Sequence, residues 1–458
     1  MWTKASDAAA FAARRARLSK LLQSPALLVA GQSRPRNFQH NRFPFRAESH
    51  FLYLVGRSIE GAALLVDPSG DATLFAPPAD PEAELWTGPM PTLADLSREL
   101  GLEVRPLDEL RGSPELAALP PQDFESALWL SELLERDLEP GSGAELEGVD
   151  VALAEAMIAL RLRHDAAAIE QLREAAQVTA RAHVAGMRAT RPHEREASVR
   201  SAMEAQIIAS GCNTAYGSIV TVHGEVLHND RHDGVLGDAD LLLADVGAET
   251  PEGFAGDVTR VWPVSGRFSA TQRAAYEVVL ASQRAAIAAV APGARYLDVH
   301  RAAGLALVEG LIGLGILRGS APDLYARGAA ALFFPHGVGH LLGIDVHDLE
   351  DLGDRAGYAP GRSRATAPGD RYLRLDRDLE PGMCVTIEPG FYQIARILSR
   401  PSEVGELESA LDRDKLSRFA DVRGIRIEDD VLVTLKGCEV LSEAVPKSVE
   451  DVQHAMLG

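Results

Sequence analysis

The sequence predicts an α+β fold in two domains, and three observations predict it. In the C-terminal two thirds, helical and strand-like stretches come in blocks instead of alternating strictly, which favours a largely antiparallel sheet packed against helices. The first third alternates short apolar runs with helical stretches, the pattern of a smaller α/β domain. At 458 residues the chain is also too long for one ordinary hydrophobic core, since a domain usually takes roughly 100–200 residues.

The elements follow in order. The first twenty residues mix Ala and Phe with Asp7, Arg14, Arg15 and Arg17. These charges break any apolar core of a secretory leader, so an amphipathic starting helix is expected. Strand-like runs at 26–30, 62–66 and 72–76 are separated by turn signals such as Pro68-Ser69-Gly70. A Pro- and Gly-bearing stretch at 139–148 leads into a helical segment at 151–159, and the boundary is placed near residue 160, giving domains 1–160 and 161–458. Beyond it, helical spacing marks 165–188, 194–209, 270–290 and 297–317. Apolar β signals mark 241–245, 256–264, 385–387, 424–427 and 431–434.

Composition narrows the function. With 46 Lys+Arg against 66 Asp+Glu the formal charge is −20, a field that repels nucleic acid and anionic lipid. No nucleic-acid partner and no membrane partner are expected. Cys212, Cys384 and Cys438 are far apart with no CxxC pair, which argues against a disulfide framework or thiolate zinc and fits a reducing, cytoplasmic location. No window approaches ~18 uncharged apolar residues, the length a membrane span needs.

The chemistry is carried by acidic residues in unusual places. Leu241-Leu-Leu-Ala-Asp245 puts a carboxylate at the end of an apolar strand, where an unpaired ionised group would be costly. After the turn signal Thr250-Pro251-Glu252-Gly253, a second strand opens with Gly256-Asp257-Val-Thr259, and a hairpin could join Asp257 to Asp245. Glu388 in Thr386-Ile387-Glu388-Pro389-Gly390 and Glu428 in Gly424-Ile-Arg426-Ile-Glu428-Asp429-Asp430 are likewise set in apolar strands. Each has a bland reading as a cap, strand end or solvated turn. Together, four carboxylates on buried strands call for counter-charge, which two divalent cations supply. Pro335-His336-Gly-Val-Gly-His340, with His347 beyond it, adds imidazole. One imidazole with four carboxylates suits Mn²⁺, Co²⁺ or Zn²⁺ and disfavours a soft-metal site.

These segments resemble the pita-bread metallopeptidases, specifically the aminopeptidase P and prolidase family. The likeness extends to the N-terminal third, where Arg36-Asn37, Phe43-Pro-Phe-Arg46 and Phe51-Leu-Tyr-Leu-Val-Gly56 are similar to the creatinase-like domain of aminopeptidase P. The resemblance implies a C-terminal pita-bread fold with a smaller creatinase-like α/β domain. It implies two divalent ions, Mn²⁺ first, held by Asp245, Asp257, His340, Glu388 and Glu428, with Asp257 and Glu428 bridging. It implies catalytic support from His228 near the substrate amine, His347 at the scissile carbonyl, Glu388 as proton shuttle and Arg426. Substrate contacts are implied for His336 at the proline ring, for Tyr392, for Trp86 in Glu84-Leu-Trp86-Thr-Gly88, and for Arg374 if the enzyme is a prolidase. The expected reaction is release of the residue before proline from an Xaa-Pro peptide by a metal-bridging hydroxide, in a homodimer or homotetramer. The long interval between Glu388 and Glu428, with Tyr372-Leu-Arg374, is more prolidase-like, so the dipeptidase reading stays open. A metal-free binding protein on the same fold is the third alternative.

Overall fold

A computed structural model describes residues 8–457 apart from 83, 142 and 368. Its contacts divide the chain into two units: the chain through Leu162 together with Leu349–Ala356, and Arg163–Asp348 together with the chain from Gly357 onward.

In the first unit five strands form a sheet in the order 103–106, 72–76, 63–66, 26–29, 117–118. The inner pairs are antiparallel and the two outer pairs parallel. One face buries Leu27, Ala63, Phe75, Leu130 and Leu134 in a common core. The expected starting helix is Ala8–Ser19. Its Arg14 and Arg15, both buried, donate to the carbonyls of Tyr53 and Leu54 at the end of the helix Ser49–Val55. Cations there complement the negative end of the helix dipole. Deeper in this unit, His50 lies between Arg161 Nη1 at 2.9 Å and Asp351 Oδ2 at 2.8 Å. The segment Leu349–Ala356 thus contributes a carboxylate to the first unit.

The second unit rests on long helices. Ala166–Ala189 is capped by Asp165, whose side chain accepts from the Ala168 amide, and Ala270–Ala289 is opened by a capping box of Ser269 and Gln272. Val178, Ala182 and Met187 of the first helix pack with Val199, Met203 and Ile207 of Glu196–Ala209 onto Leu242, Ala244 and Trp262. The strands form short antiparallel groups: 259–263, 241–245 and 219–221 in one, 384–387, 429–433 and 438–440 in another, and 390–392 with 424–426 in a third. Both breaks in the last two groups fall at acidic residues. Glu388 and Glu428, read from sequence as lying within strands, stand at the junctions between consecutive strands. Pro389 has no N–H to continue the ladder, and the chain turns out of register there.

Behind these strands sits a fully buried ion pair, Arg260 Nη2 to Asp429 Oδ1 at 2.7 Å, with both side chains at 0% exposure. Asp429 also accepts from Lys447, Gln283 and Ser442. Removing the guanidinium would leave the buried carboxylate with only half of its cationic pairing, Lys447 remaining, and would take a donor from the carbonyls of Glu428 and Val445. Arg260→Met is therefore expected to destabilise the protein by about 3–5 kcal/mol, read as a lowered midpoint in denaturant unfolding; a midpoint within error of the parent would refute it. In the first unit, burial pushes the Asp351 carboxyl up, yet His50 and Arg161 hold it down to about 2 against an ordinary 3.8. A depressed folded value means stability fully present above 3.8 and lost as the pH falls towards about 2. Asp351→Asn should remove about 2 kcal/mol of this acid-sensitive stability, so its unfolding midpoint should vary less than the parent's across that window.

Candidate metal centre

Asp245 closes its strand opposite Thr259 of the antiparallel partner. The turn between them brings back Asp257, two residues before that strand begins. The hairpin backbones nearly touch beside it: a Cβ on Gly247 would stand 1.8 Å from the Gly256 carbonyl oxygen. The two carboxylates converge on one phenol, Tyr216 Oη, at 2.6 Å from Asp245 Oδ1 and 2.7 Å from Asp257 Oδ1. A single hydroxyl proton can serve only one of them at a time. The other contact calls for a further proton or a cation.

His340 and Glu388 are delivered by a second pairing. The 338–340 loop runs along the strand Cys384–Ile387, with Thr386 N–H to the His340 carbonyl at 3.0 Å and Glu388 N–H to the Val338 carbonyl at 2.8 Å. Gly339, at φ +155°, permits this approach, since a Cβ there would lie 2.1 Å from the Thr386 carbonyl oxygen. His340 Nε2 consequently stands 3.4 Å from Asp257 Oδ2 and 3.7 Å from Glu388 Oε1. Its Nδ1 is 2.9 Å from the Leu341 carbonyl, the arrangement that orients a ligating imidazole.

Glu428 enters from the far side, its N–H bonded to the Thr259 carbonyl and its Oε2 accepting from Thr259 Oγ1 at 2.6 Å. Ligand atoms of Asp257, His340 and Glu428 all lie within 4.8 Å of one another. Arg426 crosses the group: Nη2 is 2.5 Å from Asp245 Oδ2, Nε donates to Thr259 Oγ1, and Nη1 reaches Tyr392 Oη at 3.3 Å. Tyr392 Oη is also 2.9 Å from His336 Nε2. Asp430 receives the Asp257 N–H at 3.1 Å.

Electrostatics follow from burial and crowding. Burial and neighbouring carboxylates raise Asp245 and Glu428, and Glu388 is pushed up to about 7, although Arg426 pulls all three downward and His340 draws Glu388 down as well. Burial also pushes Asp257 up, but the hydrogen bond and charge of His340, the Tyr216 hydroxyl and His347 together outweigh it, and the net direction is down. Burial lowers His340, yet Asp257 and Glu388 carry it up to about 9. His336, half-buried, is driven down to about 3 by desolvation and the nearby Arg426 charge and stays neutral. Four carboxylates against Arg426 and one imidazolium leave excess negative charge among hard oxygen donors and one nitrogen. Such a donor set fits divalent cations, and a bound ion would take the place of the His340 proton.

The carboxylates form part of the lining of a cavity of about 700 Å³. It also collects His228, His336, His347, Arg374 and Arg426 of the residues singled out from sequence. His347 stacks on His340 with ring centroids 3.9 Å apart. Tyr392 stands behind the lining, fully buried. Trp86, in the first unit, is 84% exposed and is not among the lining residues. Sequence reasoning missed Tyr216, Thr259 and Asp430. Tyr216 lies in the stretch Ala215-Tyr-Gly-Ser218 with no local signal beyond a tyrosine next to glycine.

Residues 170–435 match the model of metallopeptidase family M24, and residues 11–118 match that of the aminopeptidase P N-terminal domain. The chain belongs to metallopeptidase family M24. Among M24-type relatives, a human Xaa-Pro dipeptidase is 32% identical, with 98% of this chain and 94% of the relative covered. A probable Xaa-Pro aminopeptidase from Talaromyces marneffei is 34% identical, with 91% and 88% covered. Of solved structures, the aminopeptidase PepP of Pseudomonas aeruginosa superposes with a TM-score of 0.78 at 29% identity, over 98% of both chains. Aminopeptidase P of E. coli, solved with the inhibitor Pro-Leu, gives 0.78 at 26% identity, again over 98% of both. The fold is therefore that of aminopeptidase P, with an N-terminal domain and an M24 domain, and the M24 assignment makes the chain a metal-dependent peptidase. Among the described residues no helix is long and apolar enough to cross a membrane.

Tyr216 supplies a test of the centre. Losing a hydroxyl that orients two carboxylates typically costs 10–100-fold in metal affinity. Tyr216→Phe should weaken Mn²⁺ binding by about that factor in a calorimetric titration, with unfolding little changed; unaltered affinity would separate the phenol from the metal centre.

Proposed function

We propose that this protein is an Xaa-Pro aminopeptidase that holds two divalent ions, Mn²⁺ first, on Asp245, Asp257, His340, Glu388 and Glu428. The observation that carries the reading is the 700 Å³ cavity, whose floor is the carboxylate cluster and whose walls include His228, His336 and His347. That volume lies within the roughly 300–1,000 Å³ usual for ligand pockets. When bound, the two ions would supply Lewis acidity and an activated water.

The chain's own groups do the rest. The N-terminal ammonium of a peptide is drawn towards the acidic floor, with His228 beside it. An Xaa-Pro amide lacks an N–H, so the proline ring must be selected by shape, and neutral His336, held by Tyr392 Oη at 2.9 Å, offers a flat wall for it. His347, braced on the His340 ring, is placed to donate a hydrogen bond to charge developing on the carbonyl oxygen. Glu388, whose two carboxylate oxygens each lie 3.7 Å from a histidine nitrogen of His336 or His340, is placed to move a proton towards the departing proline nitrogen. Arg426 orients Asp245 and Tyr392 together and acts as a positioning residue. In the first unit, the exposed Leu85 and Trp86 support a homodimer or homotetramer.

A dipeptidase is the second reading, favoured by Arg374 in the cavity and by likeness to the human Xaa-Pro dipeptidase. In that case Arg374 would bind the carboxylate of a dipeptide. Gly-Pro and Arg-Pro-Pro, assayed with Mn²⁺ under the same conditions, separate the two. We expect Arg-Pro-Pro to be cleaved before its first proline, with chelation abolishing the activity and Glu388→Gln lowering kcat by about 10²–10⁴-fold. Hydrolysis confined to Gly-Pro would establish the dipeptidase instead, and absence of metal uptake with no cleavage of either would leave a binding protein.

A further inference from the structure

Charge in the cavity is sorted by exposure. Its acidic lining is the metal cluster Asp245, Asp257, Glu388 and Glu428, plus Glu403. The remaining charged lining, apart from Arg426, is arginine: Arg364, Arg371, Arg374, Arg396 and Arg400. These five are exposed at the surface, whereas Asp245, Asp257 and Glu428 are buried. In a chain of net charge −20, five guanidiniums around one opening against a single outer carboxylate run opposite to the average surface.

The side chains of three of them are uncommitted. Among the described residues Arg371, Arg396 and Arg400 form no side-chain hydrogen bond or ion pair, Arg371 only stacking on Tyr372 with its guanidinium carbon 4.7 Å from the ring centre. Other arginines of this unit are paired, such as Arg295 with Asp376 and Arg413 with Glu408. Arg396 and Arg400 both come from the segment that follows Tyr392, on and just after the short helix Ala395–Leu398. That segment therefore brings positive charge to the cavity without satisfying it internally.

We propose that this arginine rim is a subsite for carboxylates carried by the peptide beyond its proline, so that the preferred substrates are Xaa-Pro peptides with acidic residues after the proline. The proposal rests on the Xaa-Pro aminopeptidase reading and names its substrate class. An ammonium bound at the acidic floor directs the rest of the peptide outward, past the guanidiniums. Arginine suits the role because its planar fork binds carboxylates in a bidentate manner. Because the rim is exposed, its attraction is long-ranged and screened by salt, and it raises capture of anionic peptides more than the rate of chemistry.

The test uses the full-length Mn²⁺-loaded protein and four peptides: Ala-Pro-Ala-Ala-NH₂, Ala-Pro-Glu-Glu-NH₂, Ala-Pro-Lys-Lys-NH₂ and Ala-Pro-Ala-Ala with a free carboxylate. At low ionic strength kcat/KM for the glutamate peptide should exceed that of the neutral amide by about tenfold, carried mainly by KM, with the lysine peptide poorest. Raising the salt to about 0.5 M should close most of the gap. Arg396→Gln combined with Arg400→Gln should cut the glutamate-to-alanine ratio severalfold, and the salt series needs no variant. Equal hydrolysis of the three amides overturns the proposal alone. A gain from the free C-terminal carboxylate with none from the glutamates confines anion recognition to the peptide terminus and also overturns it. Hydrolysis of none of the four overturns it together with the Xaa-Pro aminopeptidase reading.

Discussion

The mutual repulsion of buried carboxylates is the constraint on which the rest of the structure depends. Asp245, Asp257, Glu388 and Glu428 face one another with Asp430 immediately behind. Burial removes the solvent that would otherwise screen them. Among the described residues the cluster is met by donors and cations, including Tyr216, Thr259, His340 and Arg426. Each of the four comes from a different part of the chain, so the cluster exists only when all of those segments are in register. A cation site of this kind is a consequence of the fold and also a demand on it.

Register is supplied by short antiparallel ladders. Pairing of 241–245 with 259–263 sets the two aspartates, and pairing of 384–387 with 429–433 brings the Glu388 and Glu428 junctions alongside. Both glutamates lie just outside the regular ladder, which frees their side chains from strict alternation between faces. Glycines 247, 256 and 339 allow the backbones to approach where any side chain would collide. The Arg260–Asp429 pair one layer back fixes the residues next to Thr259 and Glu428. Stability and function therefore share residues, because the groups that neutralise the interior also hold the ligands in place.

The cavity above the cluster has two electrostatic ends. The acidic end attracts cations, whether a metal or a peptide's ammonium, and the arginine rim attracts anions. Such an arrangement favours one direction of entry for a zwitterionic peptide and disfavours the reverse. Neutral His336, held from behind by the phenol of Tyr392, adds lining without net charge.

Much of the fold was legible because local pattern encodes it. Helical periodicity marked the long helices to within a few residues, two of them capped in the structure by Asp165 and Ser269. A carboxylate after four apolar residues marked Asp245 as a buried charge in need of a partner, and the T-I-E-P-G and R-I-E-D segments carried the family likeness. Other features left no local trace. Nothing near Tyr216 announces that its hydroxyl lies between two aspartates, and nothing near Asp429 announces Arg260, more than 160 positions earlier. Leu349–Ala356 reads as an ordinary polar stretch, yet it belongs to the first unit, where Asp351 meets His50. The sequence by itself determined which segments become helix or strand, which carboxylates are buried and which family the chain resembles. Only the tertiary structure decided which donors meet those carboxylates and how the cavity's charge is divided. Backbone preference and burial are properties of neighbouring residues, whereas contacts across hundreds of positions depend on strand register and on the packing of the whole chain.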